Sequence, residues 1–225
     1  MSGSVPALVA EAIGTFLFFF IAAGAALLAT GDAAATLLIV ALAHGVVLAV
    51  LVSTFGAVSG GHFNPAVTLG LWVAGKIDVG KGLAYMVAQL LGGVAAGFAL
   101  ASLVTPDVGP AVPALGEGVE IWEGIALEAI MTTVLLFAVF GTAVDARGPK
   151  IGGLAIGLAV AVDILLGATL TGAAMNPARW FGLAVPAGDF DNWFVWWIGP
   201  FLGAIVVAVL YRFLFAPPED GEAAA

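Results

Sequence analysis

Six stretches of this chain, roughly 5–29, 34–57, 82–104, 122–145, 151–171 and 193–215, stay apolar over a length that can cross a bilayer. A hydrocarbon core of about 30 Å takes about 20 helical residues, because each residue adds about 1.5 Å. Inside lipid the backbone has no water to bond to, so these runs must close their hydrogen bonds internally, as helices. Composition leaves no soluble alternative: 62% of the 225 residues are hydrophobic, 9% are charged and the mean hydropathy is +1.16, too little charge to cover a water-facing surface. The chain reads as an all-α polytopic membrane protein. Neither a basic segment nor a small-residue cleavage site precedes the first run, so Val5 onward is expected to be a retained helix.

Two further apolar pieces, 65–74 and 177–185, are too short and reach about half a bilayer. Each follows the dipeptide Asn-Pro, Asn64-Pro65 and Asn176-Pro177. Asn suits the N-cap of a helix and Pro its first turn, where a missing N–H is not needed. Each piece therefore reads as a half-helix that starts in mid-membrane. The residues just before must be non-helical, and such backbone survives at that depth only where it is buried or lines a wet cavity. Gly60, Gly61 and Gly172 supply the backbone freedom there.

The two halves of the chain repeat. AEAIGTFLFF at 10–19 matches LEAIMTTVLL at 127–136, so that Glu128 follows Glu11 by 117 residues. Asn176-Pro177-Ala178 follows Asn64-Pro65-Ala66 by 112, and FLGA at 201–204 follows LLGG at 90–93 by 111. Three spans per repeat is an odd number, so the second copy enters the membrane upside down. The expected organisation is a first inverted repeat over 1–116, a second over 117–216, and an acidic disordered tail at 217–225. The two half-helices dip in from opposite faces and meet near the midplane.

Charge orients this arrangement. Lys76, Lys81, Arg147, Lys150 and Arg212 fall on one side if both termini share it, while Asp32, Asp107, Glu117, Glu120, Asp189 and Asp191 occupy the other with no base among them. That asymmetry places the basic connections and both termini in the cytoplasm. The net charge of −9 reflects outer loops and tail, and no basic patch invites nucleic acid. There is no cysteine and there are two histidines, which leaves no thiolate chemistry and no histidine-rich metal site. No cofactor or metal is expected, and no nucleophile–base pair can be assembled.

The breaks define a function. The carbonyls of Gly60, Gly61, His62 and Phe63, and of Gly172, Ala173, Ala174 and Met175, have no helical partners and are expected to line a polar path. The two half-helix N-termini, each worth roughly half a positive charge, face each other with Asn64 and Asn176 as donors. Such a centre suits small neutral solutes and repels cations.

The segments SGGHFNPAVT and TGAAMNPAR, with the AE-type first helix, resemble the aquaporin or major intrinsic protein family over essentially the whole chain apart from the tail. The resemblance implies six transmembrane helices plus two re-entrant half-helices, a homotetramer in the bilayer, and passive conduction of water with exclusion of protons and ions. It also implies a selectivity filter, carried over by spacing from the two boxes: His44, Ile164, Ala173 and Arg179. Arg179 is the one base placed within a membrane segment, where a guanidinium is costly unless it faces water or acceptors. The set His–Ile–Ala–Arg is similar to filters of plant vacuolar aquaporins, which implies ammonia, urea or hydrogen peroxide beside water. A core histidine is the plainer reading of His44.

Glu11 and Glu128 sit at symmetric places within spans, as scaffolds that accept N–H groups from the re-entrant loops or as proton-relay acids. The second role belongs to the alternative function, an ion-coupled secondary transporter, because inverted repeats with broken helices also describe transporters. His62 reads as a loop clamp or a residue of the cytoplasmic mouth. Asp163 reads equally as a functional acid or as a hydrogen-bond acceptor for the second re-entrant loop. The chain's brevity suggests a prokaryotic plasma membrane.

Overall fold

The computed structural model describes residues 4–104 and 112–215. The stretch 217–225 and Asp107 lie outside the described residues. Eight α-helices follow in order: α1 (Ser4–Leu28), α2 (Ala33–Ser59), α3 (Pro65–Val73), α4 (Val79–Leu103), α5 (Ile121–Val139), α6 (Leu154–Thr171), α7 (Pro177–Ala187) and α8 (Val195–Leu210). Single π-helical turns, Phe140–Val144 and Tyr211–Phe215, extend α5 and α8. With those turns included, six elements among the described residues are long and apolar enough to cross a membrane. The remaining helices, α3 and α7, have 9 and 11 residues and are the two half-helices expected from the Asn-Pro breaks.

Local chemistry starts and stops these elements. Asp32 and Asp78 cap α2 and α4, each accepting from a backbone N–H three residues on. Asn64 and Asn176 cap α3 and α7 from extended backbone, with Pro65 and Pro177 in the first turn. At the other end, α2 and α6 stop at Gly60 and Gly172, both left-handed at φ 99° and 76°.

Glycines set how closely the helices approach. A Cβ at Gly92 of α4 would lie 2.3 Å from the Ala12 carbonyl oxygen of α1, and one at Gly203 of α8 would lie 2.3 Å from that of Ala129 in α5. These two contacts are equivalent under the repeat. At the centre α2 crosses α6, where Gly45 and Gly157 face each other's carbonyls. Gly93 and Gly97 press α4 onto α7, against the carbonyls of Ala178 and Gly182. The paired glycines 93/97 and 199/203 thus serve contacts within one chain.

Four basic residues, Lys76, Lys81, Arg147 and Arg212, gather at one end. Arg212 donates to the Val73 carbonyl at the foot of α3, and Arg147 bonds Asp145 and the Phe215 carbonyl. The Arg147 guanidinium holds the Asp145 carboxyl far below the usual carboxylate range. Lys76 and Lys81 line the mouth of a cavity at this same end.

Candidate functional site

The re-entrant segments are built alike, and Glu11 and Glu128 are the reason they hold. Glu11 Oε1 accepts from the Ser59 hydroxyl (2.6 Å) and the His62 N–H (3.0 Å), and Oε2 from the Phe63 N–H (2.7 Å) and Gln89 Nε2 (2.7 Å). Glu128 Oε1 accepts from the Thr171 hydroxyl (2.6 Å) and the Ala174 N–H (2.9 Å), and Oε2 from the Met175 N–H (2.6 Å). Both carboxyl groups are fully buried. Each carboxylate thus accepts two backbone N–H groups from the re-entrant segment of its own half. Protonating either carboxylate would cost its loop part of this hydrogen bonding, which disfavours Glu11 and Glu128 as coupling acids.

Several partners in this network escape a reading that stops at the motifs. Ser59 and Thr171 end α2 and α6, and each hydroxyl also accepts from the backbone N–H two residues on. Tyr85 donates to the Ser59 carbonyl (2.8 Å) and Trp196 to that of Thr171 (3.0 Å). Tyr85 and Trp196 stand 111 residues apart, as the LLGG and FLGA segments do, so extending the repeat alignment finds them. The halves diverge at Gln89, the fourth donor to Glu11, whose counterpart by that spacing is Pro200.

The two half-helices interlock at their starts. Asn64 Nδ2 donates to the Met175 carbonyl and Asn176 Nδ2 to the Phe63 carbonyl, both at 2.9 Å. Each Oδ1 is occupied in capping, by the Ala66 N–H (2.8 Å) in one half and by those of Ala178 (3.0 Å) and Arg179 (3.3 Å) in the other. An amide nitrogen carries two N–H groups, so each asparagine keeps one donor beyond this lattice. The carbonyls of Phe63 and Met175, read from sequence as path-lining, commit a lone pair to the opposite asparagine. That of Ala173 accepts from Arg179 Nη1. Among the eight, Gly60, Gly61, His62, Gly172 and Ala174 carry no such cross-link among the described residues.

A cavity of about 280 Å³ runs from Lys76 and Lys81 to both Asn64 and Asn176. Leu48, Val52, Leu135 and Val160 give it apolar walls, and Gly60, Gly61 and His62 a polar strip. His62 is both clamp and mouth: its N–H is on Glu11, its Nδ1 lies 3.1 Å from the Thr68 hydroxyl, and it faces this space.

The four residues read as a filter are absent from the lining of this cavity. Arg179 reaches the Ala173 carbonyl, and a Cβ at Gly167, one turn after Ile164, would sit 3.2 Å from the Ala173 Cβ. His44 comes from α2, where its neighbour Gly45 packs on Ala161, one turn before Ile164. All four are buried. His44 Nδ1 lies 2.8 Å from the Val40 carbonyl. A carbonyl only accepts, so Nδ1 carries the proton and Nε2 presents a lone pair. His44 Nε2 and Arg179 Nε have no protein partner. Asp163 Oδ2 is likewise buried without one, and no hydrogen bond joins Asp163 to the re-entrant loop among the described residues.

The geometry defines a membrane protein whose two inverted halves each send a half-helix to a shared centre. The chain belongs to the major intrinsic protein family: the family profile described as "Major intrinsic protein" matches residues 2–211. The chain is 45% identical to Aquaporin TIP4-4 of Zea mays, covering 95% of this chain and 88% of that protein. It is 41% identical to Aquaporin TIP2-1 of Arabidopsis thaliana, over 94% and 88%. In fold it resembles the aquaglyceroporin of Plasmodium falciparum, with a TM-score of 0.81 at 23% identity over 95% of this chain and 98% of the other. The two sequence relatives are plant proteins, so the expectation of a prokaryotic plasma membrane finds no support in them.

Proposed function

We propose that the chain is a passive channel for water and small neutral solutes, carried through the conduit between its halves while protons and cations are turned away. The observation that carries this reading is the reciprocal pair of bonds, Asn64 to Met175 and Asn176 to Phe63. It brings two helix N-termini together, so a cation at the centre meets roughly half a positive charge from each side. A neutral molecule with a lone pair finds one remaining N–H on each asparagine and an acceptor ladder on either approach. This mode of exclusion is the established behaviour of the family. The chain is an integral membrane protein and not an enzyme.

His44, Ile164, Ala173 and Arg179 form the filter in this proposal, Asn64 and Asn176 the central donors, and Glu11 and Glu128 the scaffold. Residues 1–116 and 117–216 are the two repeats, and the basic end faces the cytoplasm. Four copies assemble around exposed apolar faces such as Leu38, Leu42 and Val46 of α2 and Trp122 and Ile130 of α5. Stopped-flow light scattering on proteoliposomes tests the conduction claim. Osmotic shrinkage should be faster than in empty vesicles and weakly temperature-dependent, and shrinkage matching empty vesicles would overturn it.

His44 favours a wider solute range. Its Nε2 lone pair and Arg179 Nε are both buried without a protein partner, so a solute that both gives and accepts hydrogen bonds, such as ammonia or urea, finds an acceptor and a donor there. Internal alkalinisation of proteoliposomes under an ammonium gradient tests this, with equal rates in empty vesicles as the contrary result.

A further inference from the structure

The described part of the connection between α4 and α5, 112–120, carries Glu117 and Glu120 and is fastened at three points to the end of α6, to Gly172 at the start of the second re-entrant loop, and to α7. Gly116 N–H donates to the Leu170 carbonyl (2.8 Å), and a Cβ at Gly116 would lie 2.3 Å from the Thr169 carbonyl oxygen. A Cβ at Gly172 would lie 2.7 Å from the Pro113 Cβ, so Pro113 rests directly on the residue that opens the filter loop. The third point is Trp180. Its Nε1–H donates to the Pro113 carbonyl at 3.1 Å.

Trp180 is itself held rigidly. It is 1% exposed and stacks on Trp196 with ring centroids 5.4 Å apart and planes at 8°. Trp196 bonds the Thr171 carbonyl, and Thr171 bonds Glu128. One chain of contacts therefore runs from the outer connection through two indoles to the carboxylate that shapes the filter loop. Trp180 also follows Arg179 directly, about 100° further round the first turns of α7. Arg179 turns to the conduit and Trp180 to the connection that overhangs it.

We propose that Trp180 is a positioning residue: it latches the 112–116 segment onto the filter loop and thereby sets which solutes the outer mouth admits. The inference rests on the channel reading for its consequence, though not for the latch. Packing alone would be satisfied by any large ring. The indole N–H on a backbone carbonyl is what fixes the height of Pro113 above Gly172.

Two variants test it from opposite sides. Trp180→Phe keeps a ring against Trp196 and removes the N–H, while Gly116→Ala forces the same segment away from Thr169. In proteoliposomes, a glutamate-specific protease added outside should cleave after Glu117 about fivefold faster in Trp180→Phe than in wild type, the worth of one ordinary hydrogen bond. In both variants the glycerol-to-water permeability ratio should rise while water flux persists, and the double variant should add little to either. Wild-type cleavage and an unchanged ratio in the variants would overturn the latch. Faster cleavage with an unchanged ratio would also overturn it, since the segment would then be held without selecting. Should Trp180→Phe fail to fold, the ratio in Gly116→Ala decides. Should wild type conduct no water, the channel reading fails instead, and the cleavage rates still decide the latch.

Discussion

Phe63 and Met175 stand 112 residues apart, yet both take left-handed backbone, at φ 48° and 53°, and both place their N–H on a glutamate oxygen. That conformation is unfavourable for any residue with a Cβ and persists only where surroundings impose it. Here it turns each chain so that the next residue, an asparagine, caps a helix while its amide reaches the opposite loop. The two strained residues are also the acceptors for those amides.

Removing a scaffold carboxyl should therefore cost the fold before it costs transport. Glu128→Ala leaves three buried donors without partners, at about 1–3 kcal/mol each. Glu11→Ala leaves four. Both variants should lose thermal stability in detergent, Glu11→Ala the more severely, as read from unfolding midpoints or from the yield of monodisperse protein.

Asn64→Asp separates capping from exclusion. Aspartate caps as well as asparagine, so α3 should still form and water flux should persist. The hydrogen bond that Asn64 Nδ2 donates to the Met175 carbonyl is lost and a carboxyl group enters the positive centre. Proton flux in proteoliposomes should rise about tenfold or more, since each tenfold needs a barrier only about 1.4 kcal/mol lower.

His44→Phe removes the lone pair opposite Arg179. Ammonia and urea permeability should fall about fivefold, the worth of one hydrogen bond, with water conduction retained. A parallel measurement of water, urea and ammonia on one reconstituted sample reads both effects.

Gly97→Ala tests the packing of α4 on α7. The added Cβ would fall 2.0 Å from the Gly182 carbonyl oxygen, a backbone atom that cannot yield without moving the half-helix. Overpacking of this kind costs about 1–3 kcal/mol, and the unfolding midpoint should drop accordingly.

The breaks at Asn64-Pro65 and Asn176-Pro177 were legible because capping chemistry is local, and α3 and α7 begin where it says. The six spans were legible because length and apolarity suffice. Span ends moved by a few residues: the fifth begins at Leu154 rather than 151, since Gly152 is left-handed and turns the chain first. What sequence alone did not disclose was the second layer. Gln89, Ser59 and Thr171 act through contacts 43 to 78 residues away, and nothing in their immediate neighbours marks them. Asp163 kept two readings, and the structure withholds the loop hydrogen bond that one of them required.

The unequal bracing of the two glutamates has a mechanical consequence. Glu11 has Gln89 as a fourth strut, while Glu128, with Pro200 at the corresponding place, is moored by one tie fewer. The half with fewer ties is the one that carries Ala173 and Arg179. A load shared by the two interlocked loops is therefore taken up first on the Glu128 side.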